Sequence, residues 1–163
     1  MDFRRTSALL EFHEGKEAHV YPDSLGYWTI GIGRCVHKGK GPGLRESEIQ
    51  FMFENDMDEY LKEFAKYLPW FFELSDVRQA VLLDMRHNLG LTGLLTFRMT
   101  LKFVANGAYA AAAEQMLKSK WARQVGEGYL SYSIRGLLRR YPQRALMLSQ
   151  MMQSNSWPEI LET

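Results

Sequence analysis

Tyr21-Pro22-Asp23-Ser24-Leu25-Gly26-Tyr27-Trp28-Thr29-Ile30-Gly31-Ile32-Gly33 is the stretch whose reading decides the fold. Between His19 and Val36 aromatic and β-branched residues dominate, with Val20, Tyr21, Tyr27, Trp28, Thr29, Ile30 and Ile32 supplying the side chains that strands favour. Asp23-Ser24-Leu25-Gly26 interrupts them with turn formers. The pattern predicts a small antiparallel hairpin with Asp23 opening its turn.

Upstream, Phe3, Leu9, Leu10 and Phe12 recur among polar residues at roughly helical spacing, which predicts a short amphipathic helix ending at Gly15. Downstream, Lys38-Gly39-Lys40-Gly41-Pro42-Gly43 reads as a mobile loop. It lacks the Gly-Lys-Ser/Thr ending of a phosphate-cradling loop and follows no buried parallel strand. Over 45–68, Ile49, Met52, Phe53, Met57, Tyr60, Leu61, Phe64 and Leu68 return every three or four residues, predicting a long amphipathic helix that Pro69 ends. Ser75 is the expected N-cap of the next helix. Helical segments at about 76–89, 95–105, 108–118 and 142–153 follow, punctuated by Gly90, Asn106-Gly107, Gly126-Glu127-Gly128 and Pro142. The expected fold is α+β and mostly helical: one domain over 1–163, with a small hairpin lobe at about 12–55. A long helix joins it to a larger helical lobe at about 60–163, which also takes the N-terminal helix. There is no internal repeat.

Composition bounds the rest. A chain of 163 residues, 46% hydrophobic and 24% charged, is long enough for one domain with a sizeable core. The net charge of +1 gives no overall field directed at nucleic acid. Residues 1–74 carry 9 Lys/Arg against 13 Asp/Glu, and residues 75–163 carry 11 against 6. A basic second half suits a polyanionic cell-wall polymer, and chance asymmetry explains it equally well. Cys35 is the only cysteine, so neither an intrachain disulfide nor a cysteine-based metal cluster forms. After Arg4 and Arg5 the apolar run stops at Glu11, too short for a secretory segment, and no stretch reaches the ~20 apolar residues of a membrane helix. The expectation is a protein without stable membrane insertion, made and kept in a cytoplasm until something else releases it.

Glu14 stands at the end of the first helix, Asp23 in the turn and Thr29 in the second strand, with eight and five residues between them. Hydrolysis of a glycosidic bond needs one protonated acid for the departing oxygen and a second carboxylate to activate water or stabilise charge at the sugar carbon. A hairpin folded back beside the helix end can supply both. Among 19 acidic residues, spacing alone does not single these two out.

The string from Glu14-Gly15 through Tyr21 to Gly33 resembles the glutamate–hairpin signature of the phage-type lysozymes, a glycoside hydrolase family, with the glutamate, aspartate and threonine at the family's intervals. Looser similarity continues through Asp76-Val77-Arg78-Gln79-Ala80, Asn88-Leu89-Gly90, Thr92-Gly93, Phe97, Ser119-Lys120-Trp121, Gly136-Leu137-Leu138-Arg139-Arg140 and Trp157. The resemblance implies a lysozyme-like fold with its active site between two lobes, acting without cofactor or metal on bacterial peptidoglycan. The bond cut would be the β-1,4 link between N-acetylmuramic acid and N-acetylglucosamine. Glu14 would be the general acid, Asp23 the base or charge stabiliser acting through water, and Thr29 the hydroxyl that helps hold that water. A water-mediated site needs carboxyls ~6.5–9.5 Å apart, against ~5–5.5 Å for a retaining one, so inversion is expected. Leu25 and Tyr27 are candidate cleft residues beside the turn, and by the resemblance Asn88 faces the cleft from the large lobe, its amide suited to an N-acetyl group.

Two positions depart from the family pattern. Arg34 stands where members commonly carry histidine, and its expected partner is Asp56 on the long helix, locking hairpin to helix. Between Trp121 and Pro142 the chain is altered, and Arg139, Arg140 and Arg144 compete to be the arginine that orients Glu14. Arg140 follows the Gly-Leu pattern most naturally, while a solvated basic face explains each of the three as well. Rival chemistries remain open. Cys35 with His37 or His87 suggests a thiol-type wall hydrolase, though a lone cysteine after a strand is more often a packing residue. A peptidoglycan lyase and a catalytically silent wall-binding module use the same residues or the same cleft. His13-Glu14 lacks the second histidine of a zinc site at position 17, which is Glu17. Trp121 and Trp157 are expected in the core, and the nine methionines as adaptable core filler.

Overall fold

The computed structural model describes residues 10–13, 15–125, 130–132, 138–140 and 144–159. It is mostly helical with a small antiparallel sheet, the expected α+β class. The elements in order are α1 (described over 10–13), β1 (Glu17–Pro22), β2 (Trp28–Gly31), β3 (Arg34–Cys35), α2 (Glu46–Tyr67), a 3₁₀ turn (Pro69–Glu73), α3 (Asp76–Leu95), α4 (Arg98–Ala105), α5 (Tyr109–Lys118), α6 (Lys120–Gln124), β4 (Leu130–Tyr132), β5 (Leu138–Arg140) and α7 (Arg144–Ser154). Among the described residues no helix is long and apolar enough to cross a membrane. The chain divides into two compact units, Met1–Met57 and Asp58–Thr163.

In the first unit β2 lies between β1 and β3, with Tyr21 opposite Thr29, Pro22 opposite Trp28, and Thr29 opposite Cys35. A third strand therefore completes the predicted hairpin. The β1–β2 register slips between Glu17 and Tyr21, as at a bulge. Gly26 closes the turn at φ 81°, a conformation that favours glycine. The loop after β3 is hydrogen-bonded: the N–H groups of Lys40 and Gly41 donate to His37 O at 3.0 and 3.2 Å. Gly41 lies so close to β3 that a Cβ would stand 2.1 Å from Cys35 O.

The N-terminus of α2 is built by Glu46 and Glu48 in its first turn, where carboxylates complement the helix dipole. Glu48 reaches back to accept the Arg45 N–H at 2.7 Å, half of a capping box. The periodicity that predicts this helix does not predict burial along all of it. Tyr60 and Phe64 are buried, whereas Ile49, Met52 and Phe53 are about half exposed. A helix forms from its own pattern, but an apolar stripe is buried only where another element lies against it.

The second unit carries the core. Phe64 of α2 stacks on Phe71 of the 3₁₀ turn with centroids 4.3 Å apart. Around them pack Val81, Leu82 and Met85 of α3, Leu101 and Val104 of α4, Ala112 and Met116 of α5, Trp121 of α6, and Leu148 and Met152 of α7. Trp121 and four methionines (Met85, Met116, Met151 and Met152) are buried as core filler, while Met52, Met99 and Trp157 stay exposed. Gly90, at φ 70° and ψ 166°, kinks α3 where the sequence reading ended that helix. Ser75 sits at the N-cap but makes no capping bond; its hydroxyl pairs instead with Asn155. Arg78 spans three helices, its guanidinium 3.5 Å from the Tyr109 ring centre and its Nε donating to Met152 O at 3.1 Å. The β4–β5 ribbon, with Leu130 opposite Arg140, was not expected from a segment read as part of a helical bundle.

Candidate functional site

The β1–β2 turn is organised around one side chain. Asp23 Oδ1 accepts the N–H groups of Leu25 and Tyr27, both at 2.8 Å. The Asp23 N–H in turn donates to Tyr27 O at 2.9 Å, and Gly26 N–H to Asp23 O at 2.9 Å. A short carboxylate at the first turn position closes these bonds locally, which is why aspartate favours such turns. The result is a half-buried carboxylate whose hydrogen bonds among the described residues all go to one oxygen.

Thr29, two residues into β2, is 3% exposed and the only buried residue among those described in the first unit. Its hydroxyl donates to Tyr27 O at 3.2 Å. The backbone of Tyr27 is therefore a shared node: its N–H orients the Asp23 carboxylate, and its carbonyl accepts both the Asp23 N–H and the Thr29 hydroxyl. Sequence reading selected Asp23 and Thr29 but missed this role for Tyr27, which belongs to its backbone and leaves no mark in residue type.

Glu14 lies outside the described residues. Beside it, Gly15 at φ 76° returns its N–H to Glu11 O at 2.9 Å, the glycine C-cap expected there. Leu25, at the turn tip, is 76% exposed. The half-buried Tyr27 ring meets His37 edge-on at 5.4 Å, with the Lys40 ammonium 5.4 Å from its centre.

The expected pairing of Arg34 with Asp56 is corrected. Arg34 Nη1 donates to Glu48 Oε1 at 2.8 Å and Nε donates to Gly43 O at 2.8 Å, while Asp56 is exposed. Glu48, in the first turn of α2, already faces Arg45, so one carboxylate caps the helix and holds the strand's arginine. The Arg45 N–H, followed by the Arg34 and Arg45 charges, holds the Glu48 carboxyl below the usual glutamate range, partly opposed by desolvation. A glutamate three residues after a helix-preceding position was the signal that pointed to it.

In the second unit Asn88 Oδ1 accepts the Trp121 indole N–H at 2.6 Å. A buried indole needs such a partner, so Asn88 has a structural duty that its reading as a substrate contact left out. Arg144 donates to Asp84 Oδ1 at 2.7 Å, which commits one of the three competing arginines to α3. Arg140 has its backbone in β5; its side chain and that of Arg139 lie outside the described residues. Across α2 and α3, Arg86 makes a two-pronged pair with Glu63 at 2.7 and 2.9 Å, which holds its pKa above the usual value. Arg86 also stacks 3.7 Å from the Tyr60 ring centre, and Tyr60 bonds His87 at 3.0 Å. A pocket of about 550 Å³ in this unit is lined by Phe97, Gln115, Lys118 and Trp121 among others, and by none of the candidate residues.

This geometry stands beside similarity to known proteins. The family model described as phage lysozyme matches residues 11–144. "Probable T4-type lysozyme 1" of Dictyostelium discoideum is 29% identical over 143 residues, covering 72% of this chain and 84% of that protein. "Probable T4-type lysozyme 2" of the same organism is 25% identical over 143 residues, with the same coverage. The family match takes in most of the sequence, including the turn and strand that hold Asp23 and Thr29, and on that extent the chain belongs to the phage lysozyme family, whose role is peptidoglycan hydrolysis.

Proposed function

We propose that the protein is a muramidase that hydrolyses the β-1,4 bond between N-acetylmuramic acid and N-acetylglucosamine, with inversion at the anomeric carbon. The observation that supports this reading is the Tyr27 backbone from which Asp23 and Thr29 are both held. Because the Thr29 proton goes to Tyr27 O, its oxygen can only accept. A water that donates one proton to Thr29 Oγ1 and the other to Asp23 keeps a lone pair for attack on the sugar carbon. Asp23 takes up that water's proton as the C–O bond forms. Glu14 supplies the other half, giving its proton to the glycosidic oxygen as the bond to the leaving sugar breaks. Proton transfer closes without cofactor or metal.

Leu25 and Tyr27 flank this water site as saccharide contacts. Asn88 has only its NH₂ group to offer an acetamido carbonyl, since its oxygen is engaged by Trp121. Arg140 is the residue proposed to orient Glu14. The same reading makes the enzyme a monomeric endolysin, held in the host cytoplasm until it reaches the wall from the periplasm.

Clearing of purified peptidoglycan by wild type, Glu14→Gln and Asp23→Asn, followed by turbidity, tests the assignment. Each substitution is expected to cost ~10²–10⁴-fold in rate, while circular dichroism stays that of the wild type. NMR of the first-formed reducing ends is expected to show the inverted anomer, and a retained anomer rejects the water mechanism. Anhydro-muramyl products in the mass spectrum would instead mark a lyase. Iodoacetamide is expected to leave clearing intact: Cys35 is a strand residue opposite Thr29, and Nδ1 of its neighbour His37 is turned to the Trp28 N–H.

A further inference from the structure

We propose that His37 is a positioning residue for the Asp23–Thr29 pair; this rests on the function proposed above. The Tyr27 carbonyl that accepts the Thr29 hydroxyl and the Asp23 N–H belongs to the same peptide group as the Trp28 N–H. A peptide group is planar, so its two ends tilt together. One end holds the two site residues, and the other donates to His37 Nδ1 at 3.4 Å. The imidazole therefore sets the tilt of the plane on which Asp23 and Thr29 hang.

His37 is anchored for this role on both sides. Before it, the Val36 N–H donates to Trp28 O at 2.8 Å. After it, the Lys40 and Gly41 N–H groups return to its carbonyl, and Gly41 is pressed against Cys35 O. The ring packs edge-on against Tyr27.

To accept from Trp28, Nδ1 must be unprotonated, with the ring hydrogen on Nε2. Loss of one neutral hydrogen bond that orients a reacting pair corresponds to about threefold to tenfold in rate.

The test pairs two measurements: peptidoglycan clearing by wild type, His37→Asn and His37→Ala, and the ¹⁵N–¹H shift of the Trp28 amide in each. Asparagine places an acceptor, Oδ1, where Nδ1 stands. His37→Ala is expected to lose about threefold to tenfold in rate, with the Trp28 amide shifted from its wild-type position. His37→Asn is expected to restore both toward wild type. A wild-type rate in His37→Ala, or a His37→Asn as slow as His37→Ala, overturns the role of His37. A wild type that clears no peptidoglycan overturns the functional reading itself, and the role of His37 with it.

Discussion

The two units hold their shape by different means. In the second, nineteen buried apolar side chains among the described residues form one cluster from Phe64 to Met152. In the first, Thr29 alone is buried among the described residues, and order comes from hydrogen bonds: the Asp23 turn, the Tyr27 node, the His37 carbonyl and the Arg34–Glu48 pair. Burial is cumulative and tolerant of direction, whereas hydrogen bonds fix angles but contribute only about 1 kcal/mol each. The site proposed above to orient a water would benefit from the second kind of order. Its stability then depends on single close contacts rather than on area.

That contrast can be broken at four places. The largest effect on folding is expected from Phe64→Ala, which empties a fully buried ring site stacked on Phe71 and should cost about 3–5 kcal/mol in a urea titration. The folded fraction should still clear peptidoglycan, and selective loss of turnover would tie core and site more closely than the contrast allows. Gly41→Ala is expected to cost about 1–3 kcal/mol although it adds one methyl group, because a Cβ there meets backbone Cys35 O at 2.1 Å, which cannot swing aside. Faster amide exchange confined to Thr29 and Val36 would locate the damage; none would show that the loop yields.

Trp121→Phe keeps most of the buried ring but deletes the donor to Asn88, with an expected loss near 1 kcal/mol in thermal melting. A much larger loss would make the Asn88 bond part of the core's specification. The smallest effect is expected at Glu48. Its carboxyl is held below the ordinary glutamate range, so its contribution is present above the unfolded-state value and fades as pH falls through the lower folded value. Glu48→Gln should therefore flatten the acid side of the stability profile. An acid side as steep as the wild type's would argue against Glu48 as the partner of Arg34.

Local chemistry made much of this molecule legible from its residues. Turn formers at 23–26 between β-branched and aromatic runs marked the hairpin, the three- and four-residue rhythm before Pro69 marked α2, and Gly90 marked the kink in α3. Each acts through neighbours only a few positions away, so the chain order already contains the cause. Asp23 belongs to this class, since its bonds close onto Leu25 and Tyr27. Selecting it from 19 acidic residues took the resemblance of the whole 14–33 string, not the spacing.

Long side chains and exposed faces followed another rule. Arg34 had several chemically equivalent carboxylates to choose from, and the geometry of the loop and the start of α2 gave it Glu48. Asn88 went to an indole 33 residues away, Arg144 to Asp84 across 60, and Ser75 to Asn155 across 80. Whether Ile49, Met52 and Phe53 would be covered was likewise absent from their periodicity. The sequence by itself determined which segments become helix and strand and where the turn carboxylate stands, because those choices are settled within a few residues. Only the tertiary structure decided who pairs with whom, because a flexible side chain takes the partner that folding brings within reach.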